Sequence, residues 1–199
     1  MTELMAWLSK IEARSYATYK ARLEAANRLR TRGQIWSIVL IALSAGTTVV
    51  GVANLYDTEI FSKSASLFFL VTSIATLITS LVLTSMNYAN RARDMFENYR
   101  HIQRLSCEIE EALVGLKSGT AANKLAYSAS DLAKRYQDLL DGSDNHTTAD
   151  QLRTKAVNSN FSKQERRQLR TQTAGTYLPL TLLVIPAGIA LRILVWTFW

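Results

Sequence analysis

Three long uncharged apolar stretches, at residues 33–56, 64–90 and 171–191, constrain this chain more than anything else in it. The third continues past Arg192 to Trp199. A hydrocarbon core of about 30 Å is crossed by about 20 mostly apolar residues in a helix. Segments of this kind call for lipid as their solvent. The remainder, 1–32 and 91–170, is charged and rich in helix formers, so a bland overall composition is the average of two unlike populations. The expected fold class is therefore all-α: a membrane protein with a transmembrane helical hairpin (33–90, spans about 34–56 and 65–88). Long cytosolic helical extensions, an N-terminal helix over 1–32 and a helical region over 91–170, flank it, and a third transmembrane segment follows at 171–199.

Cationic residues set orientation. Arg28, Arg30 and Arg32 precede the first span; Arg91, Arg93 and Arg100 follow the second; Arg166, Arg167 and Arg170 precede the third. The link Asp57-Thr58-Glu59-Ile60-Phe61-Ser62-Lys63 is short and slightly acidic. The positive-inside rule then places the N-terminus and 91–170 in the cytoplasm, giving a multi-pass protein. The net charge of +7 fits this topogenic role better than its alternative, a basic surface for anionic lipid or nucleic acid, because acidic residues are interleaved through most of 91–170. The charged run before the first apolar stretch is longer than a signal peptide's basic start, so that stretch is expected to stay as an anchor. The third segment is open to two readings. Pro179 and Pro186 interrupt a helix, so it either crosses with a kink or re-enters. Arg192 near its far end suits snorkelling, and Trp196 and Trp199 suit an interfacial belt.

Outside the spans, periodicity predicts helices. Tyr16, Tyr19, Leu23, Ala26 and Leu29 form one stripe, and Ala92, Met95, Phe96, Tyr99, Ile102, Leu105, Ile109 and Leu113 another. Two such faces leaving neighbouring spans pack together as a stalk, the first having lipid-surface binding as its alternative. Lys117-Ser118-Gly119-Thr120 breaks the second helix. A third, near 121–140, carries Leu125, Leu132, Tyr136 and Leu139 on one side. Thr147 with Asp150, and Ser162 with Glu165, have capping-box spacing.

The residues suggest no catalytic chemistry. Cys107 is the only cysteine; His101 and His146, the only histidines, lack neighbours at metal-ligand spacing; no phosphate loop or nucleophile elbow occurs. An enzyme is not expected, nor a cofactor. Glu108, Glu110 and Glu111 read as a solvated face. In the spans, Thr72, Thr76, Thr79, Ser80 and Thr84 share a side of the second helix, and Ser37, Ser44, Thr48 and Gly51 a side of the first. In lipid such faces mark helix–helix contact; in an oligomer they also line a water-filled path. No ionisable residue lies deep in the first two spans, so any pore is expected to be poorly selective.

The order of these parts resembles the SLATT family of two-transmembrane effector domains. The resembling residues are Tyr16-Ala-Thr-Tyr-Lys-Ala-Arg-Leu and Arg28-Leu-Arg-Thr-Arg before the first span. Asn87-Tyr-Ala-Asn-Arg-Ala-Arg and Glu97-Asn-Tyr-Arg follow the second, and Asn145-His146-Thr-Thr-Ala-Asp150 comes last. The resemblance implies an antiphage, abortive-infection effector of the bacterial inner membrane, forming homo-oligomeric pores or perturbing the bilayer. It implies a separate sensor partner: a nucleotidyltransferase, a SLOG-type protein or a reverse transcriptase. The turn at Asn145, His146 and Asp150 is then a docking or switch element, with local helix capping as its other reading. A non-pore adaptor for a nucleotide- or RNA-handling enzyme and a holin-like channel subunit are the alternative functions.

Overall fold

Charged and apolar stretches alike fold as helices. A computed structural model describes residues 2–57, 60–117, 122–141, 144–155 and 161–198, side chains at 122–128, 155, 194 and 196–198 excepted. Among these residues every element is helical: α1 (Thr2–Tyr56), α2 (Lys63–Met86), α3 (Tyr88–Lys117), α4 (Ala122–Asp141), α5 (Thr148–Lys155), α6 (Lys163–Tyr177), a 3-10 turn (Leu178–Leu183) and α7 (Val184–Phe198). Three helical stretches are long and apolar enough to cross a membrane, Thr2–Tyr56, Lys63–Lys117 and Lys163–Ile193. The fold is that of an all-α membrane protein. The expectations for Leu125, for the break at Ser118–Thr120 and for Trp196 and Trp199 fall outside the described residues.

The chain divides into two compact units, Met1–Leu29 with Ala89–Arg170, and Arg30–Tyr88 with Thr171–Trp199. The first is a bundle. Leu8 and Ile11 of α1, Ile102, Leu105, Ile109 and Leu116 of α3, and Ala129, Leu132 and Tyr136 of α4 form its core. A two-helix stalk is thus completed by α4, whose stripe needs the same cover. The buried positions follow a seam with alternating steps of three and four. On α1 it runs Leu8, Ile11, Ser15, Thr18, Arg22, Ala25, Leu29; on α3 it runs Met95, Asn98, Ile102, Leu105, Ile109, Ala112, Leu116. That is the heptad spacing of coiled-coil packing. Of the expected α1 stripe, Ala26 and Leu29 are buried, but its N-terminal part lies one position from the seam. Tyr16 is exposed and Tyr19 and Leu23 are half-buried, because three seam positions are polar and a search for apolar periodicity passes over them.

In the second unit, the apolar part of α1 buries Ile35, Val39 and Leu43 against Leu183 and Ile185. Val50 packs with Ile60, Phe61 and Ile189. The 3-10 turn and α7 thus lie on α1. Gly46 makes this approach possible: a Cβ there would stand 3.2 Å from both Pro186 Cβ and Ile189 Cδ1. The interruption expected at the prolines is the 3-10 stretch between α6 and α7, which leaves the segment helical. Pro179 falls in the first turn of the 3-10 stretch, and Pro186 in the first turn of α7, where a missing N–H is tolerated. Helix α2 starts at Ser62, whose hydroxyl accepts from the Ala65 N–H at 3.3 Å. It stops at Asn87, which is left-handed at φ 48°, a conformation Asn adopts more readily than most L-residues. Asn54 Nδ2 donates to Ser66 Oγ at 3.2 Å, tying α1 to the first turn of α2.

Candidate functional site

Polar side chains at the bundle seam build the most distinctive site in the molecule. Ser15 Oγ donates to Ser106 Oγ at 3.2 Å, and Thr18 Oγ1 and Tyr136 Oη share a hydrogen bond of 2.9 Å. One turn further along α1 lies Arg22, only 1% exposed. Its Nη1 donates to Asn98 Oδ1, and its Nη2 reaches the Leu140 carbonyl at 3.4 Å. Asn98 Nδ2 donates to the Leu139 carbonyl at 2.8 Å. Leu139 and Leu140 close α4, where carbonyls lack helical partners and the helix carries its negative end. Arg22 and Asn98 therefore cap α4 from two other helices. The guanidinium has no carboxylate within ion-pair distance among the described residues, and its Nε has no partner. Burial pushes its pKa down, partly opposed by Tyr136.

One turn beyond, α5 is clamped to α1. Arg28 Nε and Nη2 donate to Asp150 Oδ1 and Oδ2 at 2.9 and 3.0 Å, and Asp150 is 0% exposed. The same Oδ2 accepts from Thr147 N–H at 2.9 Å and Thr147 Oγ1 at 2.8 Å. One carboxylate thus starts α5 and holds it to a helix 122 residues away in sequence. Burial alone pushes the Asp150 carboxyl up; the bonds from Arg28 and Thr147 and the Arg28 charge more than offset this, so it lies below the ordinary carboxylate value. Arg91 Nε donates to Asp144 Oδ2 at 2.8 Å ahead of the turn. Asn145 is exposed. His146 is half-buried, with Nε2 2.7 Å from Gln151 Nε2 and a buried Nδ1 that has no partner. Burial, and next the Arg22 charge, push its pKa down against the pull of Asp150.

Tyr16, Tyr19, Tyr99 and Phe96 meet at the rim of the bundle as a chain of rings. Centroids are 5.2 Å apart for Tyr16–Tyr19, 6.0 Å for Tyr19–Tyr99 and 5.4 Å for Phe96–Tyr99. Leu105 belongs to the core itself. Glu108 is paired with Arg135 through two bonds of 2.6 and 3.0 Å, so it fastens α3 to α4.

In the apolar unit, Ser44, Thr48 and Gly51 face outward, and a Cβ on Gly51 would meet nothing within 4 Å. Thr72, Thr76, Thr79 and Ser80 are half-buried and Thr84 is exposed. Thr72, Thr76, Thr79 and Thr84 donate to the carbonyl four residues back, at 2.7–2.8 Å. Those hydroxyls are satisfied within α2 and compatible with a lipid surround. Among the described residues no group of His, Cys, Asp and Glu has the geometry of a metal site.

Arg22, Asn98 and Arg28 stand in the motifs that carry the family resemblance, but their hydrogen-bond partners were not foreseen there, and Asn54 was not singled out. The signal for the first two was the heptad itself, in which polar residues at seam positions mark register pins.

The family model described as SMODS and SLOG-associating 2TM effector domain family 5 matches residues 7–198. No curated protein and no solved structure matches the chain.

Proposed function

Because the chain belongs to SMODS and SLOG-associating 2TM effector domain family 5, we propose that it is the membrane-acting effector of a bacterial antiphage system. In this proposal the apolar unit assembles with further copies and opens or thins the inner membrane when a separate sensor engages the charged bundle. The observation that carries it is α2. It is the most uniformly apolar of the long helices, yet none of its residues is buried within the chain. An apolar helix with only partial intrachain cover is available to lipid and to copies of itself. Its half-buried side carries Thr72, Thr76, Thr79 and Ser80, small enough for close helix approach. The sensor-facing part of the proposal rests on the strap at 144–155, tied to α1 through Arg28 and Asp150, to α3 through Arg91 and Asp144, and open at Asn145.

The experiment is induction of the full-length protein with and without the sensor gene encoded beside it, reading membrane potential with a voltage-sensitive dye. Loss of potential only with the activated sensor is the expected result. An intact potential under activation overturns the membrane-opening step. One observation favours a second reading, an adaptor that holds a nucleotide- or RNA-handling enzyme at the membrane. The threonine hydroxyls of α2 point back to their own backbone, where a hydrated path would employ them. Vesicles containing the adaptor leak no dye, while its neighbour enzyme stays membrane-bound only in its presence.

A further inference from the structure

A groove of about 420 Å³ opens in the apolar unit where the link between α1 and α2 meets α7. Its size is within the range of small-molecule sites, about 300–1,000 Å³. Phe61, Phe68 and Phe69 line one side and Ile185, Gly188 and Ile189 the other, with Arg192 at the mouth. Phe61 and Phe69 meet edge to face at 5.3 Å, which fixes the shape of that wall. The opposite wall is opened by a missing side chain: a Cβ on Gly188 would meet nothing within 4 Å.

Arg192 is exposed, and among the described residues its one hydrogen bond is a long contact of 3.4 Å to the Ile60 carbonyl. No carboxylate among the described residues lies within ion-pair distance of it. A cation beside hydrocarbon is costly unless it reaches water or an anion. Guanidinium has the planar fork that matches phosphate oxygens. A lipid bilayer supplies both complements at once, a chain for the groove and a phosphodiester for the fork. We propose that this groove is a phospholipid site, holding one acyl chain between α2 and α7 with the lipid phosphate on the Arg192 guanidinium. The site requires only that the apolar unit sits in a bilayer, so it stands whether the assembled protein opens a pore or acts as an adaptor. A bound lipid would fasten α7 to the first turns of α2, which otherwise meet chiefly through Phe69, Ala65 and the link residues Ile60 and Phe61.

The test is native mass spectrometry of the full chain in mild detergent. It is titrated with phosphatidylglycerol, with diacylglycerol of the same chains, and with inorganic phosphate. One phosphatidylglycerol per chain is expected to bind, diacylglycerol much more weakly and phosphate alone not at all. Arg192→Gln weakens phosphatidylglycerol about tenfold, the loss expected for one charge-assisted contact, while Arg192→Lys recovers part of it. Gly188→Phe fills the groove and abolishes the bound lipid with helix content and thermal midpoint unchanged. Phosphatidylglycerol binding within about twofold of the wild type in both Arg192→Gln and Gly188→Phe overturns the site, since a tenfold loss is what the contact requires. So does a photoreactive side chain at position 188 that captures a second copy of the protein in place of lipid.

Discussion

Arg22 and Asp150 show two ways of keeping a charge out of water. Asp150 has a full counter-ion in Arg28 and two further bonds from Thr147. Arg22 has only neutral acceptors, Asn98 and the end of α4. Removing Asn98 strips the guanidinium of its side-chain acceptor and leaves the Leu139 carbonyl without its donor. Asn98→Ala is therefore expected to cost about 2–3 kcal/mol in denaturant unfolding of the detergent-solubilised chain, and Arg22→Met less, because the buried charge goes with its side chain. The neighbouring histidine gives the bundle a pH response. His146 has a folded pKa below its ordinary value of 6.5, so the unfolded chain binds its proton first as pH falls. Stability declines from about pH 6.5 down to the folded value and then levels; the Asp150 carboxyl, held below its ordinary value, has its own loss of stability at more acid pH. Thermal midpoints measured from pH 7.5 to 5 should fall in the wild type, and less steeply in His146→Gln. Of these partnerships only Thr147 with Asp150 was legible from spacing. Arg28 looked like one of several topogenic cations, and nothing local links it to a carboxylate 122 positions away.

Elements were far more legible than residues, because what starts and ends a helix is local. Ser162 and Glu165 exchange both capping-box bonds, at 2.8 and 3.3 Å. At Thr147 the box is altered: the hydroxyl donates to Asp150 Oδ2 and the reciprocal bond from the Thr147 N–H is kept. The prolines were legible as interruptions, but their placement in first turns was not, since that depends on where the 3-10 stretch begins. Among the small residues of α1, sequence favoured Gly51, whereas the close approaches are at Gly33, against Tyr88, and at Gly46, against α7. Gly46→Leu is expected to overpack the α1–α7 contact and cost about 1–3 kcal/mol. Gly51→Leu, pointing into open space, should change unfolding by less than about 0.5 kcal/mol. Guanidinium titrations of the two variants side by side check the contrast.

At the scale of the whole molecule, the sequence disclosed which stretches seek lipid and which seek water, because apolar runs of bilayer length have few other uses. It did not disclose which apolar helix covers which. Residues of α7 bury those of α1 through Leu43, Val50 and Ile189, while α2 keeps most of its large side chains outside, among them Leu67, Leu70, Val71, Ile74, Leu77 and Leu81. Pairing of helices is decided by side-chain shape, and shape is not periodic. Replacing Thr76 and Ser80 together with Leu thickens the half-buried side of α2 without touching its ends. Membrane insertion should be unchanged. The oligomer distribution after chemical cross-linking, or dye release from vesicles, should shift. If both readouts match the wild type, α2 has no part in assembly through that side.

The threonines of α2 also bear on how easily that helix moves. From Thr72 to Thr84 their hydroxyls are committed to their own carbonyls, and the cross-helix bond from Asn54 reaches only Ser66 near the start. Swivelling the far half of α2 about its long axis would exchange one greasy surface for another and sever nothing directional. Such a helix is geared like a bearing, with its friction set by the bulk of its neighbours.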